Sequence, residues 1–333
     1  MKKIFKWLLF LFALLVLTIF LFLFIGKAPL AKEIKCGVNF SSKYTKLLGL
    51  DWQKAYLAMF DDLGAKRIKL ITYWDDLEAQ QGEYFFNDLD WQTQEAEKRG
   101  VEMLLVMGMK TPRWPECHLP QWAINLPKQE QQEAILDLIK SIVLRYQDSS
   151  LIRGWQVENE PFFPFGECPW SDKEFVKKEI ELVKSLDKQQ RPVLISDSGE
   201  NSFWLKPAQL GDVVGITLYQ NVWNHEMKRY IDYPLPPVFY FRKAKLIEKL
   251  FQKKVICVEL QLEPWGPVLI YDLSLEDQMR TMNLAQFKEN IDFARKTGLD
   301  EFYTWGNEWW YWLKEKHNQP EIWNEAKKLF LEK

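Results

Sequence analysis

Short, nearly continuous apolar runs alternate along this chain with longer segments whose apolar residues recur on one helical face. The runs are Ile34–Phe40, Arg67–Trp74, Val101–Met107, Ile152–Asn159, Pro192–Ser196, Val213–Leu218, Val255–Leu260 and Phe302–Trp305. Between the first two, Trp52, Tyr56, Met59, Phe60 and Leu63 share one face of a helix. Leu89–Arg99 is helical and stops at Gly100, a residue suited to a left-handed helix end. The stretch 128–147 carries Ile135, Leu138, Ile139, Ile142, Val143 and Tyr146 at helical spacing. Further helices are predicted over Asp172–Asp187, Phe203–Leu210, 237–253, 275–297 and 320–332. Strands alternating with helices imply parallel pairing, because parallel neighbours need a crossover between them. Polar residues stand at nearly every strand's C-terminal end. That favours a closed (β/α)8 TIM barrel over an open doubly wound sheet, since a barrel gathers all those ends into one site.

The N-terminus breaks this rhythm. Lys2, Lys3 and Lys6 precede an apolar run from Trp7 to Ile25 in which Thr18 is the one polar residue. The run approaches the ~20 residues that span a bilayer and exceeds the core of a secretory signal. Gly26-Lys27-Ala28 resembles a cleavage site, but Pro29 would follow the cut. The expectation is a single-pass anchor, with residues 1–30 as membrane segment and 31–333 as barrel domain. The barrel would lie outside the cytoplasm; a secreted protein with a removed signal is the alternative. Lysines flank both ends of the run, so charge does not decide its orientation.

Net charge is −2, with 44 basic and 46 acidic residues and no basic stripe, so no nucleic-acid partner is expected. The three histidines, His118, His225 and His317, show no ligand spacing. No GxxxxGK, GxGxxG or GxSxG motif occurs, and neither metal nor cofactor is expected. A monomer is expected. Aromatic residues are abundant, with 16 Trp, 12 Tyr and 22 Phe. Trp74, Trp114, Trp170, Trp204, Trp223, Trp265 and Trp305 all follow strand ends, where flat rings could stack on the apolar face of a sugar.

The chemistry sits on two of these ends. In Gly154-Trp155-Gln156-Val157-Glu158-Asn159-Glu160-Pro161, strand alternation puts Gln156, Glu158 and Glu160 on one face and Trp155 and Val157 on the other. On the seventh strand Glu259 stands where the apolar run stops, followed by Glu263-Pro264-Trp265. Strands four and seven face each other across a closed barrel. Two facing carboxylates about 5–5.5 Å apart are what retaining glycoside hydrolysis uses.

Asn159-Glu160-Pro161 on strand four, with Glu259 in Val258-Glu259-Leu260-Gln261 on strand seven, resembles the large clan of retaining (β/α)8 glycosidases that includes the family-5 cellulases and mannanases. The resemblance covers the chain from about Ile34. It implies a retaining β-glycoside hydrolase acting on an oligo- or polysaccharide, with Glu160 as acid/base and Glu259 as nucleophile. By the same resemblance Asn159 would bind the sugar 2-hydroxyl, and Arg67 would hold the nucleophile ionised. Tyr219 would hydrogen-bond it, and Trp305 would floor the cleaved sugar's subsite. The clan's His-x-Tyr on strand six is replaced by Thr217-Leu218-Tyr219, and Glu263-Pro264-Trp265 is an added feature. A transglycosidase on envelope glycans would use the same residues, and an inactive carbohydrate-binding barrel is the non-enzymatic alternative.

Three assignments complete the reading. Glu263 lies beyond the regular strand and is expected to bind a substrate hydroxyl beside Trp265, leaving Glu259 as nucleophile. Trp114 is a candidate sugar platform, and neighbouring Arg113 is expected in a loop salt bridge. Cys117 and Cys168, in the loops after strands three and four, are expected to form a disulfide in an exported domain, whereas Cys36 and Cys257 read as small buried hydrophobes.

Overall fold

The computed structural model describes residues 2–331. Eight parallel strands close a barrel: β1 (Lys35–Phe40), β2 (Arg67–Ile71), β3 (Glu102–Met107), β4 (Ile152–Val157), β5 (Val193–Asp197), β6 (Val213–Leu218), β7 (Lys254–Gln261) and β8 (Glu301–Trp305). Each strand pairs with its neighbours in chain order, and β8 returns to β1 through Lys35↔Glu301 to Val38↔Thr304. The fold is a TIM barrel.

Strand alternation divides the apolar residues into two environments. Leu104, Leu194, Ile256, Val258 and Tyr303 fill the barrel's interior, and Ile71, Tyr73, Val106 and Trp305 form a second group with them. The intervening residues Leu105, Trp155, Val157 and Ile195 face the helices, where they join Ile135, Leu138, Ile139 and Ile142 of Lys128–Tyr146. The interior is full. A Cβ on Gly215 would lie 2.8 Å from Leu194 and 2.9 Å from Val258, so only glycine lets these layers close.

The structure adds elements that periodicity did not separate. The segment 275–297 is two helices, Leu275–Thr281 and Leu284–Lys296, because Asn283 caps the second by accepting from the amides of Ala285 and Gln286. A helix, Asn307–His317, follows β8. An antiparallel hairpin, Asn221–Asn224 with Arg229–Asp232, stands after β6. The N-terminal helix runs from Lys2 to Phe24, long and apolar enough to cross a membrane, and its span from Lys3 is unburied. Near its end, Phe24 packs on Phe239 at 5.3 Å, and Arg242 donates to the carbonyl of Leu21 at 3.1 Å.

Candidate active site

Regular pairing on β4 ends at Val157, and the chain then twists. Glu158 and Glu160 take left-handed backbone angles, φ +57° and +42°. Such angles are uncommon for a side chain with a Cβ and concentrate at functional sites. The twist corrects the expectation that Gln156, Glu158 and Glu160 share one face. Glu158 turns away from the axis, where its carboxylate accepts from the amides of Met109 at 2.9 Å and Lys110 at 2.5 Å. A Cβ on Gly108 would come within 2.6 Å of that carboxylate, so glycine makes the room. Glu158 also meets Glu179 of the helix Lys173–Leu186. Glu179 is fully buried and receives no donor at either oxygen. Burial and the Glu158 charge push its carboxyl well above the usual range. Gln156 remains inside and donates to the carbonyl of Glu158, to Asn159 Oδ1 and to Ser196 Oγ. Ser196 Oγ accepts from the amide of Glu160 at 2.9 Å, fixing the twisted segment to β5.

A β-bulge places the second carboxylate. Pairing runs Ile216↔Cys257 and then Thr217↔Glu259, so Val258 has no partner on β6. The neighbouring β8 shows the same irregularity, passing from Phe302↔Cys257 to Thr304↔Leu260. The inserted residue reverses the alternation. Ile256 and Val258 point into the barrel below it, and Glu259 lines the mouth above. The carbonyl of Val258 accepts from Asn39 Nδ2 at 2.9 Å, so the irregular backbone is satisfied from β1.

Lys69 and Tyr219 hold Glu259. The fully buried Lys69 Nζ stands 3.2 Å from Glu259 Oε1, and the Tyr219 hydroxyl donates to Oε2 at 3.0 Å. The cation beside Glu259 is therefore Lys69, which corrects the expectation for Arg67. Arg67 is the first residue of β2, at the barrel's opposite lip, where its Nε pairs with Glu102 at 2.8 Å. Lys69 keeps the same strand face but stands about 6.6 Å nearer the mouth at ~3.3 Å per residue. A lysine set between Ile68 and Leu70, on the same face as Arg67, was the available signal.

Among the described residues no cation pairs with the Glu160 carboxylate. Burial pushes it well above the usual carboxylate range, and the charges of Glu259 and Glu116 add to this. Glu116, which the sequence did not single out, is buried beside Asn159. Asn159 Nδ2 donates to it at 3.0 Å, and burial raises Glu116 to about 7. Glu200, also unanticipated, accepts from the Tyr219 amide at 2.9 Å and is raised by burial to about 7. Lys110 donates to the carbonyls of Glu160 and Phe163, both at 2.9 Å, and ties down the loop after β4.

These groups line a cavity of about 650 Å³ at the strands' C-terminal ends. Glu160, Glu259, Asn159, Tyr219, Trp305, Glu263, Trp265 and Trp114 all reach it. Arg113 lies over the Trp305 ring at 3.8 Å and over Tyr44 at 3.7 Å, paired with Glu263 and with Glu308 at 3.2 Å. One face of the expected sugar floor is thus covered by a guanidinium. Glu263 is buried, raised to about 7 by that burial, and keeps one oxygen without a partner. Of the seven tryptophans after strand ends, Trp114, Trp223, Trp265 and Trp305 line the cavity. Trp74 and Trp204 are core residues, and Trp170 donates to Gln131 behind the rim. A disulfide joins Cys117 to Cys168 with Cα atoms 5.2 Å apart, tying together the loops after β3 and β4.

No family model and no curated relative matches the sequence. Solved structures match with confidence. A GH5_18 protein from Streptomyces cattleya, in complex with GlcNAc, superposes with a TM-score of 0.60 at 14% identity, over 83% of this chain and 71% of that one. Xylanase 10B from Thermotoga petrophila RKU-1, in complex with xylobiose, matches at TM-score 0.57 and 15% identity, over 92% of this chain and 99% of its own. The fold is that of these glycosidases. An exo-beta-1,4-mannosidase, Op5Man5 from Opitutaceae bacterium strain TAV5, matches at 0.59 and 15% identity over 85% of this chain and 54% of that chain. Against a beta-galactosidase from Halorubrum lacusprofundi the chain spans about half the relative's length, 52%.

Proposed function

We propose that the chain is a retaining β-glycoside hydrolase in which Glu160 is the acid/base and Glu259 the nucleophile. The observation that carries this reading is the unequal setting of two buried carboxylates on one cavity. Glu259 is paired with the Lys69 ammonium and the Tyr219 hydroxyl, as an attacking anion needs. Among the described residues Glu160 has no such cation, and it is pushed upward by burial and neighbouring charge, as a proton donor needs. In the first step a Glu259 oxygen bonds the anomeric carbon while the bond to the departing oxygen breaks, and Glu160 gives that oxygen its proton. In the second, Glu160 takes a proton from water, whose oxygen bonds the anomeric carbon and releases Glu259. Asn159 and Glu263 bind sugar hydroxyls, and Trp265 and Trp114 stack on the substrate. The likeness to glycosidase structures supports the reaction class.

The N-terminal helix, in this reading, is an uncleaved anchor with the barrel outside the cytoplasm. The Cys117–Cys168 disulfide supports that side, since such bonds persist in oxidising compartments. The test of function is paired substitution. With an activated aryl β-glycoside, Glu160→Ala and Glu259→Ala should each lose at least the ~10²–10⁴-fold that general acid–base action supplies. Azide should restore Glu160→Ala and yield a β-glycosyl azide. A 2-fluoro glycoside should label Glu259; full activity in either variant, or a label on Glu263, would overturn the assignment.

A further inference from the structure

The cavity is chemically two-sided. Its deep end holds the carboxylates; elsewhere, beside polar residues such as Lys43 and Asn201, it is lined by Leu47, Trp114, Phe165, Val222, Val268 and Leu269 from five separate segments. Several of these are open to solvent: Leu47 is 53% exposed, Val268 51% and Trp114 45%. The apolar part of this wall offers a sugar ring few partners for the hydroxyls on its edge, and each hydroxyl stripped of water there without a partner is a cost. Phe163 and Phe165 follow Glu160 in the same loop, and Glu160 is the proposed donor to the departing oxygen. Phe165, and with it this part of the apolar wall, is therefore carried by the loop of the proposed acid/base.

The helix Pro237–Phe251 descends from the hairpin at the mouth to the start of β7 at the opposite end. The N-terminal helix touches its mouth-side half, at Phe239 and Arg242, whereas Leu246 and Leu250 further down stay exposed. Phe203, 84% exposed, stands beside Ser202, whose carbonyl accepts from Lys243 of that helix. The 23-residue helix, long enough to span a bilayer, therefore meets the barrel on the half that carries the mouth.

We infer that the enzyme works with its mouth against the bilayer that holds its own helix, on a glycoside whose aglycone is a hydrocarbon chain of a membrane lipid. The inference rests on the glycosidase reading for its chemistry, but the apolar subsite can be tested apart from it. Full-length protein in phosphatidylcholine nanodiscs is given p-nitrophenyl β-glycosides to find its sugar. It is then given the methyl, butyl and octyl β-glycosides of that sugar below their micelle concentrations. A buried methylene is worth about fourfold in affinity, so burial of even half the octyl chain raises kcat/KM over the methyl glycoside at least a hundredfold. Val268→Asp combined with Leu269→Asp should cut the octyl-to-methyl ratio tenfold or more. Leu47→Asp, on a different loop, should do the same if the double variant folds poorly. A flat chain-length series, a ratio unmoved by these variants, or a preference for soluble β-glucan or β-mannan would overturn the inference while leaving a glycosidase. If no glycoside turns over, the catalytic reading falls instead. Tryptophan fluorescence titration with the alkyl glucosides, galactosides, mannosides and xylosides then decides the subsite: tighter binding with chain length keeps it, and equal or absent binding sinks it.

Discussion

Replacing Lys69 with methionine tests the central electrostatic argument, because it removes one charge and keeps the side chain's length and apolar stem. Lys69 Nζ is 3.2 Å from Glu259 Oε1 and fully buried. At an effective dielectric of about 20, that separation corresponds to roughly 5 kcal/mol of attraction, an upper limit because the site can relax or admit water. If the attack on the sugar uses about 1.4–4 kcal/mol of that attraction, activity of Lys69→Met on an aryl glycoside should fall about 10- to 1000-fold. Stability should fall by about 3–5 kcal/mol, since a buried ion pair has lost one partner. Urea denaturation of Lys69→Met/Glu259→Gln should show most of that loss regained. Arg67→Ala is the control: its partner Glu102 lies at the far lip, so activity should not fall. Unchanged activity in Lys69→Met, or an equal loss in Arg67→Ala, would refute the assignment of Lys69.

Glu179→Gln should raise the melting temperature at pH 8 and confer no gain at pH 4. A buried carboxyl pushed upward favours the folded state fully below its unfolded value near 4 and loses that contribution as pH rises, whereas glutamine keeps a donor for Glu158 at every pH. Removing the disulfide with Cys117→Ser and Cys168→Ser should lower stability by up to about 4 kcal/mol, given its separation of 51 residues; equal melting of reduced and oxidised protein would argue against it. Full-length protein should sediment with membranes, whereas a chain starting at Lys32 should be soluble and still cleave aryl glycosides. A mature N-terminus near residue 29 or 32 would show that the segment is removed.

The order and type of the barrel elements, and the long apolar helix, were determined by the residues themselves. A buried parallel strand must be apolar on both faces and its helix on one, so pattern alone separates them. That Glu160 and Glu259 would line the mouth was legible because each stands near the end of an apolar run at the lip where all barrel loops converge. What tertiary structure decided was direction. Simple alternation from Ile256 and Val258 turns Glu259 outward, and only the bulge recorded by both β6 and β8 turns it in. Alternation equally placed Glu158 beside Glu160, until two left-handed residues separated them. The identity of the cation was hidden for a related reason. Arg67 and Lys69 share strand and face, and only the height of β2 against β7 tells which one reaches Glu259. Glu116, Glu200 and the cavity's apolar wall come from loops without periodicity, whose positions are set by packing against one another across long stretches of chain.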